Sequence, residues 1–135
     1  DTGPATSVAV RVEGPVRIEA EEFRSGEGMD TEPCDEGGSN VGWIDAGDVL
    51  VYLLDVAAPG RYRLDLRHAG ETDIGEVRVR VQGKDAARLT LPATGGWQTW
   101  ATASTAITLE PGTVTLELVA ETSGFNLNWF ALDPQ

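Results

Sequence analysis

Hydrophobic and polar residues alternate along much of this chain, with the period of two that is typical of β-strands. In residues 60–68 (GRYRLDLRH), Tyr62 and Leu64 fall on one face and charged residues fall on the other. Residues 75–83 (GEVRVRVQG) and 113–120 (TVTLELVA) repeat the pattern. Because successive side chains of a strand point to opposite faces, each segment predicts a strand with one buried and one solvated face.

Further strands are predicted between turn-forming segments such as APG, QGK, TGG and EPG. They span residues 8–12, 16–23, 48–56, 86–91, 98–109 and 125–132. No window of a dozen residues has the spacing of an amphipathic helix. Short strands at this spacing predict an all-β fold, a β-sandwich or jelly roll of two antiparallel sheets.

One stretch departs from the alternation. Residues 25–48 are rich in Gly, Asp, Glu, Ser and Asn and have few apolar side chains. A long loop in a compact domain is typical of a functional segment, and this one carries Trp43. We expect residues 1–14 to be a linker remnant with a possible first strand, residues 15–133 to form the folded module, and residues 134–135 to be a tail.

Length and charge narrow the function. At 135 residues the chain is one domain by size. It has 10 Lys and Arg residues against 22 Asp and Glu residues, and the net charge of −12 argues against nucleic acid or an anionic membrane as the main partner. No apolar run approaches about 20 residues and no signal peptide begins the sequence, so we expect a mature or excised soluble domain.

Residues suited to nucleophilic catalysis are sparse. His68 is the one histidine, at the end of a predicted strand, and we expect a surface or strand-end role for it. Cys34 is the one cysteine, expected to be an incidental thiol in a polar loop, so there is no disulfide framework. Carboxylates are plentiful, but no pair is marked as the acid and base of a glycosidase, which makes a small hydrolase the weakest hypothesis.

Two acidic residues, Glu19 and Glu21, lie two apart on the strand predicted over residues 16–23. That spacing aims both carboxylates at one face, where like charges destabilise each other unless a cation or basic neighbours compensate. Calcium, which binds roughly six to eight oxygen ligands, would compensate, and a solvated acidic edge is the alternative. Asp133 would reach the same ion if the last predicted strand pairs with the Glu19 segment.

Four segments follow one another along the chain: RIEAEEF, NVGWIDAGDVLVY, TGGWQTW and GFNLNWFAL. Together they resemble carbohydrate-binding module family 6, over about Val16 to Leu132. The resemblance implies a secreted, monomeric β-jelly roll that does no chemistry itself and is joined by a linker to a glycoside hydrolase or another polysaccharide-acting enzyme. It also implies a structural calcium near the first strand, held by Glu19, Glu21 and Asp133.

The family's usual sugar site has two aromatic rings that hold a sugar between them and an asparagine that binds its hydroxyls. By resemblance these are Trp43, where the family usually has tyrosine, Trp97 after the glycine pair, and Asn126. An aromatic side chain beside a Gly-rich turn is accessible and stiff, which suits stacking on a sugar's apolar C–H face. Asp30 and Glu32 are candidates for further hydrogen bonds to the sugar, with a plain acidic loop as the alternative.

The other two tryptophans are assigned to structure. Trp100 lies three residues after Trp97, and residues three apart on a strand face opposite ways, so Trp100 is expected to pack. Trp129, in the last predicted strand, is expected to pack as well. Some relatives have a second sugar site on the concave sheet face that depends on a tryptophan. This chain has Val49 there, so we expect that site to be absent or weak.

The expected ligand is a neutral polysaccharide or oligosaccharide of the xylan, β-glucan, cellulose or agarose class. The charge of −12 disfavours a polyuronate. The competing hypothesis is a calcium-stabilised structural or adhesive β-sandwich that binds protein or spaces domains. Tryptophan fluorescence against a panel of glycans separates the two, because a spacer responds to none of them.

Overall fold

The computed structural model describes residues 9–23 and 29–135, so part of the expected linker remnant (residues 1–8) and the start of the predicted loop (residues 25–28) lie outside the described residues. The strands are β1 (Val10–Val12), β2 (Val16–Glu19), β3 (Asp30–Pro33), β4 (Ser39–Gly42), β5 (Val49–Val56), β6 (Gly60–Gly70), β7 (Gly75–Val81), β8 (Lys84–Leu91), β9 (Gly96–Leu109), β10 (Gly112–Ala120) and β11 (Asn126–Pro134). A 3₁₀ helix, Ala20–Glu22, follows β2. The prediction of an all-β sandwich is confirmed.

The strands form two sheets. The first has the order β1-β5-β10-β7-β8, and the second has the order β3-β4-β11-β6-β9, with β2 also paired to β11. Neighbouring strands run antiparallel except β1, which runs parallel to β5. Since β1 belongs to the first sheet and β11 extends to Pro134, the folded unit is longer at both ends than residues 15–133.

Alternate side chains of the long strands form the core. The largest fully buried ones include Tyr52, Leu64, Leu66, Leu116, Leu118 and Phe130. The Tyr52 ring meets Phe130 edge-on, with ring centroids 4.8 Å apart. Its hydroxyl donates a hydrogen bond of 2.8 Å to the backbone oxygen of Ala20, which ties the 3₁₀ helix to the core.

The prediction of a loop over residues 25–48 is wrong for part of that range. There β3 and β4 pair as an antiparallel hairpin, and Val41 of β4 is buried and pairs with Leu127 of β11. The polar composition hid these strands because polar side chains on the hairpin satisfy each other. Asn40 Nδ2, for example, donates to Glu32 Oε2 at 3.1 Å.

The strand predicted over residues 16–23 ends at Glu19. Beyond it the backbone turns into the 3₁₀ helix, where the Glu19 N–H donates to Glu22 Oε1 at 3.3 Å. The period of two therefore stops before Glu21. The expectation that Glu19 and Glu21 share one strand face is wrong for this reason.

His68 and Cys34 are both buried. His68 is 2% exposed because β6 is a central strand, paired through this residue with Leu127 on one side and Ala101 on the other. Burial, helped by the charge of Arg67, lowers the His68 pKa below its usual value. Burial also raises the pKa of the Cys34 thiol. His68 lies near the end of β6, as expected, but it is not at the surface. Cys34 lies in the polar turn between β3 and β4, as expected, with its side chain buried.

Among the residues described, no helix has the length and apolar character needed to cross a bilayer.

Candidate functional site

A cleft of about 390 Å³ opens at one edge of the sandwich, where β4 ends and β9 and β11 begin. It is lined by Glu32, Gly42, Trp43, Ile44, Asp45, Trp97, Ser123, Gly124, Phe125 and Asn126. Trp43 and Trp97 are 60% and 44% exposed, whereas Asn126 is buried. The structure therefore gathers Trp43, Trp97, Asn126 and Glu32 around one opening. Asp30 is not in the lining; it is exposed and its Oδ1 accepts a hydrogen bond from the Thr31 N–H.

Trp43 projects from a strained backbone. Its φ is 54°, a left-handed conformation that is uncommon for a bulky side chain. The residues on either side, Gly42 and Ile44, are buried and hold the chain in place. A Cβ on Gly42 would lie 3.1 Å from Asn126 Oδ1, so a side chain there would crowd the cleft. Two buried neighbours thus turn the indole of Trp43 outward.

Trp97 sits on a wide bulge in β9. In the pairing of β6 with β9, His68 lies opposite Ala101 and Gly70 opposite Gly96, so β9 carries three extra residues between these pairs. A bulge leaves its extra residues without a partner in the ladder of hydrogen bonds. Even so, exposure alternates over residues 96–100, and Trp97 is exposed at the cleft whereas Trp100 is half-buried, in line with the separation predicted for the two tryptophans.

A single carboxylate oxygen holds this region together. Glu32 Oε2 accepts three side-chain amide hydrogen bonds, from Asn40 at 3.1 Å, Gln98 at 3.1 Å and Asn126 at 3.3 Å. These donors come from β4, β9 and β11. Hydrogen bonds to a charged group are stronger than neutral ones, so the Glu32 carboxylate links three strands at the base of the cleft.

Gln98 and Asn126 carry this link to the bulge. Gln98 Nε2 also donates to Asn40 Oδ1 at 2.9 Å, and Gln98 Oε1 accepts from the Asp35 N–H at 2.8 Å. Asn126 Nδ2 donates to the backbone oxygen of Trp97 at 2.9 Å. Sequence reasoning missed Gln98 and Asn40. The sequence signal that could have pointed to them is a polar side chain near each tryptophan predicted to stack on the sugar. Gln98 directly follows Trp97, and Asn40 lies three residues before Trp43.

The cleft has a negative lining. Glu32 and Asp45 contribute carboxylates, and among the described residues that line it there is no Lys, Arg or His. A tight turn fixes Asp45, whose N–H donates to Asp48 Oδ2 at 2.8 Å and whose carbonyl oxygen accepts from the Asp48 N–H at 3.0 Å. Such a lining disfavours anionic ligands.

The acidic residues expected to hold calcium have different environments. Glu19 Oε2 accepts a hydrogen bond from Arg17 Nε at 2.8 Å. Glu21 Oε1 is buried and has no hydrogen-bond partner in the described part of the chain. Burial raises the Glu21 pKa, and the charges of Glu19 and Glu22 raise it further. A buried carboxylate oxygen without a hydrogen-bond partner is suited to binding a hard cation such as calcium.

Asp133 is not brought to Glu19 or Glu21. In the antiparallel pairing of β2 with β11, Glu19 lies opposite Trp129, four residues from Asp133 and thus about 13 Å away along the strand. Asp133 Oδ2 instead accepts from Arg63 Nη2 at 3.2 Å. The expectation that Asp133 shares the ion is wrong, because the antiparallel register carries it away. Asn128, next to Trp129, has a buried Oδ1 with no partner in residues 9–23 and 29–135, and it is a candidate ligand that sequence reasoning missed.

Comparison with known proteins decides the family. The sequence model for carbohydrate binding module (family 6) matches residues 19–134. The chain belongs to carbohydrate-binding module family 6. Proteins of this family bind carbohydrate and are not catalytic, so the chain is a binding module and not an enzyme.

Three solved modules of family 6 are similar over most of the chain. The C-terminal module of LamC, a marine laminarinase from Zobellia galactanivorans, is 33% identical, with a TM-score of 0.84 over 88% of this chain and 98% of that one. The module CBM6cm-2 of Cellvibrio mixtus lichenase 5A, solved with cellotriose, is 32% identical, with a TM-score of 0.82 over 89% and 97%. A β-1,3-glucan-binding module from Bacillus halodurans is 31% identical, with a TM-score of 0.81 over 93% and 99%.

Two curated relatives are much longer than this chain. Each is 28% identical to it, and the matches cover 85% and 93% of the chain. The chain spans only 18% and 12% of their length. The similarity to these two proteins therefore concerns a short segment of each.

Proposed function

We propose that this family 6 module binds a neutral β-glucan and holds one sugar ring between the indoles of Trp43 and Trp97. The observation that carries the proposal is the pair of exposed indoles in the lining of one cleft, with Asn126 beside them. A pyranose has apolar C–H faces that stack on flat rings and a polar rim that needs directed hydrogen bonds. A cleft with both features suits a sugar.

Asn126 and Glu32 supply the hydrogen bonds that orient the sugar. The three amide donors all contact Glu32 Oε2, so Oε1 is the oxygen that we assign to a sugar hydroxyl. Asp45 at the cleft offers a further acceptor. Hydroxyl groups donate to carboxylates readily, whereas the carboxylate of a uronic acid is repelled.

Three of the family 6 modules to which the chain is similar favour a β-glucan. One was solved with cellotriose, one binds β-1,3-glucan and one belongs to a laminarinase. Cellulose, a β-1,4-glucan, belongs to this class. Xylan and agarose are the alternatives, and one similar family 6 module, 34% identical, was solved with xylose. Because a shallow exposed site gains stacking but displaces bound water, a dissociation constant of about 1 mM to 1 μM is expected for a short oligosaccharide.

The module acts as a monomeric, extracellular part of a larger polysaccharide-degrading enzyme. Two similar modules come from such enzymes, a laminarinase and a lichenase. Binding of the module to the polymer keeps the attached catalytic domain at a high effective concentration of substrate.

A structural calcium ion completes the proposal. Glu21, with its buried and unpartnered Oε1 in the described part of the chain, would hold the ion, and the buried Asn128 Oδ1 is a second oxygen of the kind that calcium prefers. In the described part of the chain, no group of three or more Asp, Glu, His or Cys side chains is placed to hold a metal ion. Backbone oxygens and water would therefore supply the other ligands. The ion would neutralise a carboxylate that burial destabilises.

Isothermal titration calorimetry with soluble oligosaccharides tests the site and the ligand class together. The panel contains β-1,3-glucan, mixed-linkage glucan, cellulose, xylan and agarose fragments. We expect the glucans to bind best, and Trp97→Ala to lose binding while it stays folded. Tightest binding to xylan or agarose would contradict the ligand class alone. No binding to any glycan would contradict the whole proposal and favour a structural or adhesive sandwich.

A further inference from the structure

Ile74 is an exposed apolar side chain that the fold does not use. Within residues 9–23 and 29–135, the large hydrophobic side chains that are exposed are those of Trp43, Trp97 and Ile74. The two tryptophans line the cleft. Ile74 is 67% exposed and lies in the four-residue connection 71–74 between β6 and β7. Because most of its surface stays in water, its side chain contributes little to folding.

Both neighbours of Ile74 pack on the wall of the cleft. A Cβ on Gly124 would lie 2.6 Å from Asp73 Oδ2, and a Cβ on Gly75 would lie 2.8 Å from Phe125 Cδ2. These contacts leave no room for one extra carbon. Gly124 and Phe125 line the cleft, so the connection that carries Ile74 adjoins that wall.

The first end of the connection is tied to the segment that leads to Trp97. The backbone oxygen of Gly70 accepts hydrogen bonds from the N–H groups of Thr94 at 2.9 Å and Gly95 at 3.2 Å. The Gly70 N–H donates to Thr94 Oγ1 at 3.0 Å. Residues 71–74 are therefore held between the wall formed by Gly124 and Phe125 and the turn before Trp97.

We propose that Ile74 forms a second sugar subsite, which receives the next sugar of the chain held by Trp43 and Trp97. This inference rests on the proposed function. The cleft, at about 390 Å³, is near the lower end of the range of roughly 300–1,000 Å³ for small-molecule sites, so a longer glycan continues over the rim. At this rim Ile74 offers an apolar surface to a C–H face, and the Asp73 carboxylate accepts a hydroxyl.

Calorimetry with β-1,3-glucan fragments of two lengths, a single glucose and a pentasaccharide, tests the subsite. Ile74→Ser is expected to weaken pentasaccharide binding about five-fold and to leave glucose binding unchanged, because a single sugar occupies the clamp alone. Ile74→Trp is expected to strengthen pentasaccharide binding, because its larger flat face covers more of the sugar. Thermal unfolding shows whether each variant is folded. Leu53→Ala, a half-buried aliphatic residue of β5 outside the cleft lining, is the control and should change neither affinity.

Two kinds of failure are distinguishable. Equal effects of Ile74→Ser on both fragments, or no effect on either, with wild-type binding intact, would overturn the subsite and leave the proposed function standing. Absence of binding to both fragments by the wild-type module would overturn the proposed function.

Discussion

The outer face of the first sheet and the cleft at the edge of the second follow different rules. On the first sheet, charged side chains alternate with buried apolar ones and form ion pairs, as in Arg88–Glu76 between β8 and β7 at 3.0 Å and Arg78 of β7 with Glu121, just after β10, at 2.9 Å. At the cleft, Trp43 has a positive φ and β9 carries three extra residues. The first sheet has smaller departures, a φ of 53° at Gln82 after β7 and a register shift between Val79 and Arg80. The largest departure, the bulge of three residues, thus lies where ligand is expected, as is common for a functional site on a regular scaffold.

The chemistry of the two regions differs as well. The ion pairs on the sheet are partly exposed, and each contributes little to stability because solvent screens the charges. Val49 on this sheet is half-buried and has no flat ring for a sugar. The cleft has two exposed indoles over a network centred on the Glu32 carboxylate. We therefore expect sugar at the cleft and none on the sheet face.

The largest expected difference between the regions comes from removing one platform. Trp97→Ala should weaken β-glucan binding about 30-fold or more, as for other central aromatic contacts. Arg88→Ala on the first sheet should change affinity less than about two-fold, since an exposed ion pair is worth little. Calorimetry measures both, and circular dichroism checks the fold. Comparable losses in the two variants would remove the distinction between the regions.

The network beneath the cleft gives the next largest effect. Gln98→Ala removes one donor to Glu32 and the acceptor of the Asp35 N–H, so we expect a loss of about 1–2 kcal/mol in the free energy of unfolding. Because the bulge that carries Trp97 loses its link to β3 and β4, affinity should also fall about ten-fold. Thr108→Ala, in the regular part of β9, is the control. Lower stability with unchanged affinity would show that Gln98 supports the fold but does not position Trp97.

The negative lining gives a smaller effect, on selectivity. Asp45→Asn should leave affinity for a neutral glucan within about two-fold, because a hydroxyl can still donate to an amide oxygen. Binding of an acidic oligosaccharide such as oligogalacturonate should strengthen several-fold, and this gain should fade in high salt. Titration at two salt concentrations measures it. A gain that is insensitive to salt would show that charge is not the cause.

The smallest effect concerns Glu21. Burial raises its pKa in the folded state, so without a cation the folded protein loses stability as pH rises through the interval between the unfolded and folded pKa values. Glu21→Gln should therefore slightly raise the unfolding temperature at neutral pH in the presence of a chelator, and not in acid. Added calcium should stabilise the wild type and leave Glu21→Gln unchanged. A calcium response that survives in the variant would place the ion elsewhere.

Much of the scaffold was predictable from the alternation of apolar and polar residues. The segment predicted over residues 48–56 corresponds to β5, Val49–Val56, because its buried face is apolar at every second residue. The hairpin of β3 and β4 was not predictable in this way, since Glu32 and Asn40 form hydrogen bonds there where other strands have apolar side chains.

The cleft was predictable only in part. Local motifs pointed to Trp43, Trp97 and Asn126, which do line it. Nothing in the alternation indicates a bulge of three residues in β9. The contact between Glu32 and Gln98 joins residues 66 positions apart, and such a pairing follows from the packing of strands and not from local pattern. The prediction that Asp133 shares the calcium ion was wrong because it depended on the direction and register of the pairing between β2 and β11.

The central claim is that sugar binds between Trp43 and Trp97, and the indole N–H signals of the four tryptophans test it most directly. The signals are assigned with single tryptophan variants and followed by NMR while a β-1,3-glucan oligosaccharide is added. We predict that the Trp43 and Trp97 signals shift together and saturate, while those of Trp100 and Trp129 stay in place. Saturating shifts confined to Trp100 or Trp129, or no shift at any tryptophan, would contradict the claim.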